Sequence, residues 1–208
     1  MRATILQTFD APCTHPNGLD WDGETLWLVA GDKEVFRLDP GTGAVLRQFR
    51  SPGHAGVMFD GTHVWVVESP PPTLAKVDPE TGEAVMTLTP PGPVPIGLTW
   101  DGQNIWCGEH ETGISKLDPR TGEVLDHFDG PGDRTHDLAW DGEKIWFVDT
   151  NLRTFYVMDP ASGELLHSFA SPDNIEPHGL TWAGGALWFS SGKDDQGREY
   201  LHRLQIVE

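Results

Sequence analysis

A seven-residue motif occurs five times and decides the fold: WDGETLW (21–27), FDGTHVW (59–65), WDGQNIW (100–106), WDGEKIW (140–146) and WAGGALW (182–188). The first four copies are each followed by a second turn motif: DPGTG from Asp39, DPETG from Asp78, DPRTG from Asp118 and DPASG from Asp159. Four short runs of β-type residues lie between these turns in each repeat. A period of about 40 residues with four strands is typical of a β-propeller blade, so the sequence predicts an all-β, five-bladed propeller with antiparallel strands.

The two ends of the chain predict how the ring closes. The fifth repeat ends after its third strand, at LHRLQIVE, and the chain begins with ILQTFDAP, which resembles VLRQFRSP (45–52) and LLHSFASP (165–172). We therefore expect residues 3–9 to form the outermost strand of the fifth blade, because this pairing leaves no open sheet edge between the first and last segments. Residues 1–208 are then interpreted as a single propeller domain.

Composition favours some classes of partner over others. The formal net charge is −18, with acidic residues spread along the whole chain, which disfavours binding to nucleic acid or to an anionic membrane. No apolar stretch approaches the roughly 18 residues that span a bilayer. Two cysteines, Cys13 and Cys107, are too few for a disulfide framework and indicate free thiols in the cytoplasm.

One face of the disc is predicted to carry the functional site. The DG and DPxTG turns are short and of similar length in every copy, so that face is interpreted as structural. The opposite face collects loops of varied sequence, including ESPPPTL, DTNLRT and SSGKDDQGRE. Variable loops on a fixed scaffold are where binding and catalysis usually occur.

The residues just before each innermost strand would then surround the mouth of the central channel. If each DG turn is a hairpin tip, pairing Trp140 with Ile145 also pairs His136 with Asp149. The same register predicts four further pairs: Ala55 with Glu68, Ile96 with Glu109, His178 with Ser191, and Asn17 with Ala30.

This register brings imidazoles and carboxylates together at the rim: His15, His54, His136 and His178 with Glu68, Glu109, Asp149 and Glu176, and with His110 as a further candidate. Such a set can bind a divalent metal ion of the magnesium or zinc class, or can share acid and base work. The alternative is that polar residues occur there only because the channel mouth is wet. Cys13, two residues before His15, is a weaker candidate ligand, and Arg134 could pair with an anionic substrate group.

EPHGLTWAGGALWF (176–189) and GLTWDGQNIWCGEH (97–110) resemble the streptogramin B lyase (virginiamycin B lyase) family of propellers. In that family a Glu-Pro-His segment supplies a magnesium ligand and a catalytic histidine. The resemblance therefore implies Glu176 as a metal ligand and His178 as a base. The second Glu of that family is replaced by Ser191 here, so a metal ion would need carboxylates from other blades, and the family has seven blades rather than five.

VVES (66–69), together with the spacing from Gly56 to Glu68, resembles the five-bladed glutaminyl cyclases, also called glutamine cyclotransferases. This resemblance implies that Glu68 acts as acid and base on an N-terminal glutamine. The Gln that usually precedes the first GL in that family is Asn17 or Ala55 here.

Three functions follow as hypotheses. The first is a metal-dependent lyase or hydrolase acting on a small molecule, with His178 or His136 moving the proton and with Glu176, Asp149, Glu109, His15 and His54 as candidate metal ligands. The second is a glutaminyl cyclase that uses Glu68, and the third is a non-enzymatic scaffold for a peptide or protein. A closed ring needs no partner chain, so we expect a monomer.

Overall fold

The computed structural model describes residues 1–207, which form short β-strands and one 3₁₀ turn. The strands are, by blade: blade 1, β2 (Pro16–Trp21), β3 (Leu26–Ala30), β4 (Glu34–Leu38), β5 (Val45–Arg50); blade 2, β6 (Val57–Phe59), β7 (Val64–Glu68), β8 (Thr73–Val77), β9 (Ala84–Leu88); blade 3, β10 (Pro95–Trp100), β11 (Ile105–Glu109), β12 (Gly113–Leu117), β13 (Val124–Phe128); blade 4, β14 (Thr135–Trp140), β15 (Ile145–Asp149), β16 (Thr154–Met158), β17 (Leu165–Ala170); blade 5, β18 (Pro177–Ala183), β19 (Ala186–Ser191), β20 (Tyr200–Val207) and β1 (Arg2–Asp10). The 3₁₀ turn is Pro172–Asn174. No helix in the described part of the chain is long and apolar enough to cross a membrane.

The predicted five-bladed propeller is confirmed. Each sheet has four antiparallel strands, and the last sheet has the order β1-β20-β19-β18, so the N-terminal strand closes the fifth blade as its outermost strand. The innermost strands β2, β6, β10, β14 and β18 pack against one another around the axis. Apolar clusters join neighbouring blades; Trp65 of blade 2, for example, packs with Leu98 and Cys107 of blade 3.

The DG turns form as hairpin tips because their aspartates satisfy the turn's backbone amides. Asp22 Oδ1 accepts hydrogen bonds from the amides of Glu24 at 2.9 Å and Thr25 at 2.6 Å. These turns fix the pairs nearest the tip, such as Trp140 with Ile145, as predicted.

The predicted pairs at the channel mouth are wrong by one residue. Asp149 pairs with Thr135 rather than with His136, because β14 contains a β-bulge between Thr135 and Asp137. The same shift places Pro95 opposite Glu109, Pro177 opposite Ser191 and Pro16 opposite Ala30. In blade 2, β6 begins only at Val57, so Ala55 lies outside the strand and its amide donates to the carbonyl of Val67 at 3.3 Å instead of pairing with Glu68.

The innermost strands approach so closely that they close the channel below its mouth. A Cβ on Gly97 of β10 would lie 2.5 Å from Cα of Asp137 on β14, too close for any side chain. Asp137 stands where the other repeats have glycine, and its carboxyl group is fully buried. Its Oδ2 accepts hydrogen bonds from the amides of Leu19 and Leu180, and its Oδ1 from the amide of Leu98, so one side chain joins four blades.

Candidate active site at the channel mouth

Two histidines of adjacent blades meet at the channel mouth. His136 lies at the bulge of β14 and His178 in the equivalent bulge of β18, and their ring centroids are 4.7 Å apart. His110, which follows β11, has its ring 6.2 Å from that of His136. The structure thus brings together three of the imidazoles that the sequence assigned to this rim.

These rings have unused hydrogen-bonding capacity. His110 Nε2, His136 Nδ1, His178 Nδ1 and Arg134 Nε are buried and have no hydrogen-bond partner among residues 1–207. Buried polar groups in proteins are normally paired, because an unmade hydrogen bond is costly away from water. A bound ligand could therefore supply the hydrogen-bond partners that these four nitrogens lack.

Burial determines the protonation of the three imidazoles. It is the largest influence on each of them and lowers the pKa of His110, His136 and His178, since a charged ring is poorly solvated there. The positive charge of Arg134 lowers all three pKa values further. All three rings are therefore neutral at pH 7, and each can accept a proton.

His178 differs from its neighbours because it has a carboxylate partner. Its Nε2 lies 3.1 Å from Oε1 of Glu176, and this contact opposes the effect of burial on the pKa of His178. The other oxygen of Glu176 lies 3.8 Å from Arg153. A Cβ on Gly192 would come 3.3 Å from His178 Nε2, so the glycine leaves room for the pair. This arrangement, an imidazole oriented by a carboxylate, is suited to general acid–base catalysis.

A pocket of about 390 Å³ opens beside this pair, between blades 4 and 5; we call it the blade 4–5 pocket. Its polar lining includes Arg153, Glu176, Ser191, Lys193, Tyr200 and His202. His202 is 4% exposed, its Nε2 has no partner among the described residues, and burial lowers its pKa to about 4. The sequence pointed to this region through the SSGKDDQGRE loop but missed Arg153, Tyr200 and His202. The alternation of Tyr200 and His202 along one strand was the available signal.

The carboxylates at the ends of the second strands have other partners. Glu109 accepts from the amide of Gly92 at 2.7 Å and from the hydroxyl of Thr112 at 2.8 Å. Asp149 accepts from the amides of Arg134 at 3.1 Å and Leu152 at 2.8 Å. Both side chains are buried, and they hold the loops of their own blades.

The candidates on blades 1 and 2 form a separate group. Glu68 lies 3.4 Å from Lys33, and His54 is close enough to both for their charges to act on it, although burial is the main reason that its pKa is lowered. The backbone amide of His15 donates to Glu199 at 3.0 Å. Burial raises the pKa of the Cys13 thiol to about 12, so this thiol is protonated at pH 7.

The predicted metal ligands do not converge on one point. No group of three or more His, Cys, Asp and Glu side chains suited to a metal ion occurs in residues 1–207. Glu109 and Asp149 are held by backbone amides, and Glu176 faces His178 and Arg153. The donor set does not fit a divalent ion.

A search of solved structures finds the crystal structure of Myxococcus xanthus glutaminyl cyclase, with a TM-score of 0.79 over 99% of this chain and 97% of that chain. The two sequences are 14% identical, so this likeness supports the fold alone. No curated protein matches the sequence at a significant level.

Residues 31–174 match the model of one protein family, PQQ_2, described as outer membrane protein assembly factor BamB. The match runs from β4 of blade 1 to the 3₁₀ turn before blade 5 and covers more than half of the chain. The chain therefore belongs to this family of β-propellers.

Proposed function

We propose that the protein is an enzyme of the lyase type that acts on a small molecule bound in the blade 4–5 pocket. The observation that carries this proposal is the 3.1 Å contact between His178 Nε2 and Glu176 Oε1, because Glu176 lines that pocket. A neutral imidazole held by a carboxylate is a competent base, and the side chains of His178 and Glu176 are 14% and 46% exposed.

The chemistry is an elimination. His178 takes a proton from a substrate carbon, the C–H electron pair forms the new double bond, and the leaving group departs with its own bonding pair. Glu176 stabilises the imidazolium that forms, and the imidazolium returns the proton to the leaving group or to water. Arg153 and Lys193 supply positive charge for an anionic part of the substrate.

A screen of small carbonyl compounds with a leaving group on the β-carbon tests this proposal, because loss of the α-proton and of that group forms a double bond conjugated with the carbonyl, and the absorbance of this double bond is the readout. For a compound that is turned over, we expect His178→Gln and Glu176→Gln to lower kcat/KM at least about 100-fold. His167→Gln, on the exposed outer strand β17, is the matched control and should retain full activity. Full activity in His178→Gln would overturn the proposal.

The metal-dependent form of this mechanism has its own test. Elemental analysis of protein purified without an affinity tag measures bound metal directly. If the wild-type protein contains near-stoichiometric metal and a His136→Ala, His178→Ala double variant loses it, the metal-dependent mechanism is supported.

A glutaminyl-peptide cyclotransferase is the second candidate, supported by the structural likeness to a glutaminyl cyclase and by the position of Glu68 beside His54 and Lys33. It predicts that a peptide with N-terminal glutamine loses the mass of ammonia and that Glu68→Gln abolishes this loss. An unchanged peptide mass would exclude this activity for that peptide.

A non-enzymatic scaffold is the third candidate, supported by the description of the family as an assembly factor. It predicts that the variable face captures a peptide or protein and that no substrate in either screen is turned over.

We further propose that the chain acts as one domain and as a monomer, which ring closure supports. Its free cysteines support a reducing compartment such as the cytoplasm.

A further inference from the structure

The turn motifs on the opposite face form a repeated electrostatic unit. In blades 1 to 4 the aspartate of each DG turn accepts a hydrogen bond from the indole Nε1 of the tryptophan five residues later, at 2.7–3.0 Å; the pairs are Asp22–Trp27, Asp60–Trp65, Asp101–Trp106 and Asp141–Trp146. In the first three blades a basic side chain from the third strand completes the unit. Arg37, Lys76 and Lys116 lie 3.1, 2.8 and 3.7 Å from these aspartates and over the faces of the same indoles.

Blade 5 retains the tryptophan and the cation but lacks the carboxylate. Ala183 occupies the position of the aspartate, while Trp188 pairs with Arg203 in the same register as Trp27 with Arg37. Arg203 Nε is buried without a hydrogen-bond partner, and Arg203 has no carboxylate within 4 Å among residues 1–207. A guanidinium whose buried Nε lacks an acceptor is able to pair with an anion, as Arg37 does with Asp22 in blade 1.

A cavity of about 260 Å³ lies at this place, between blades 5 and 1; we call it the blade 5–1 pocket. Its walls include Trp21, Pro40, Gly41, Ala183, Trp188 and Arg203. The equivalent cavity between blades 1 and 2 is about 200 Å³ and contains the carboxylates of Asp22 and Glu80 where the blade 5–1 pocket has Ala183 and Gly41. The blade 5–1 pocket is thus larger and has lost both acidic side chains.

We propose that the blade 5–1 pocket binds a small carboxylate attached to an apolar, ring-sized body. The ligand's carboxylate takes the place of the turn aspartate and accepts hydrogen bonds from Arg203 and the indole of Trp188. Its apolar part packs against Trp21 and Pro40. A volume slightly below the usual range of ligand pockets, about 300 Å³ and above, limits the ligand to a small molecule.

Calorimetric titration with phenylacetate, with uncharged phenylacetamide as the matched ligand, tests this proposal. We expect phenylacetate to bind the wild-type protein at least about tenfold more tightly than phenylacetamide, because only the carboxylate pairs with Arg203. Equal affinities, or no binding of phenylacetate, would overturn the proposal without any variant.

Three variants sharpen the test. Arg203→Gln removes the cation, and Ala183→Asp supplies the internal carboxylate that blades 1 to 4 already contain, so each should weaken phenylacetate binding at least about tenfold. Ala183→Asp should also raise Tm, because it restores the ion pair found in blade 1. Arg37→Gln, the equivalent change at the blade 1–2 junction, should leave phenylacetate affinity unchanged. Undiminished binding in folded Ala183→Asp would contradict the assignment of the site.

Discussion

Carboxylates and imidazoles share the rim of the propeller, yet they have different partners. Glu109 and Asp149, at the ends of second strands, are buried and accept hydrogen bonds from backbone amides of their own loops. His136 and His178, at the bulges of innermost strands, have nitrogens with no partner in the described chain. In blades 3 and 4, therefore, the carboxylates at the ends of the second strands support loops, whereas the imidazoles at the bulges of blades 4 and 5 are available to a ligand.

Asp137, on an innermost strand, is a carboxylate with a structural role, since its three amide donors come from three other blades. We expect Asp137→Ala to lower the free energy of unfolding by about 5 kcal/mol, because each buried amide left without an acceptor costs about 1–3 kcal/mol. Urea denaturation followed by tryptophan fluorescence measures this loss. Asp126→Ala, on the exposed face of β13, is the control and should change stability by less than about 0.5 kcal/mol. A loss below about 1 kcal/mol for Asp137→Ala would show that these hydrogen bonds do not hold the ring together.

Asp20 tests how burial acts on a carboxyl group of the inner strands. Burial raises its pKa to about 7, although its carboxylate accepts a hydrogen bond from the amide of Phe59 at 2.6 Å. The native chain therefore binds this proton more tightly than the unfolded chain, whose Asp pKa is about 4. The stability that Asp20 contributes is present below about pH 4 and is lost as the pH rises to about 7.

Asp20→Asn should remove that dependence while keeping an acceptor for the amide. We expect the free energy of unfolding of Asp20→Asn, relative to wild type, to increase by about 4 kcal/mol between pH 4 and pH 8. Urea denaturation of both proteins at several pH values measures the difference. A difference that stays constant with pH would mean that Asp20 is ionised in the folded protein at all of these pH values.

The sequence predicted the architecture well because the fold depends on local, repeated signals. The motif spacing gave five blades, and the similarity of residues 1–9 to the outer strands gave the ring closure. The predicted pairing at the rim was wrong by one residue because the innermost strands contain β-bulges. The bulges lie where the innermost strands pack around a narrow axis, whereas a register counted from the hairpin turn assumes regular pairing along both strands. The roles of Glu109 and Asp149 were also hidden, since their amide donors lie in loops whose path the sequence does not define. The motif WAGGALW shows that Ala183 replaces the turn aspartate. The consequence for Trp188 and Arg203 could be recognised only from the Asp–Trp contacts of the other blades.

The loop-supporting role of Asp149 predicts a moderate effect. Asp149→Ala should lower the free energy of unfolding by about 2 kcal/mol, since two loop amides lose their acceptor. Circular dichroism during urea denaturation measures the loss. Activity per folded molecule should fall much less than in Glu176→Gln, and an equal fall would place Asp149 in the chemistry.

In contrast to Asp149, Glu176 is expected to affect activity strongly and stability little. Its side chain is 46% exposed, and exposed ion pairs contribute little to stability, so Glu176→Gln should change the free energy of unfolding by less than about 0.5 kcal/mol. The same variant should lose most of its activity on any substrate found by the elimination screen, because Gln cannot stabilise an imidazolium at His178. The acidic limb of the kcat/KM profile should also move to lower pH, since the carboxylate raises the pKa of His178 against the effect of burial. A pH profile that does not move, with reduced activity, would mean that Glu176 contacts the substrate without acting through His178, and the imidazole would then lose its role as the oriented base.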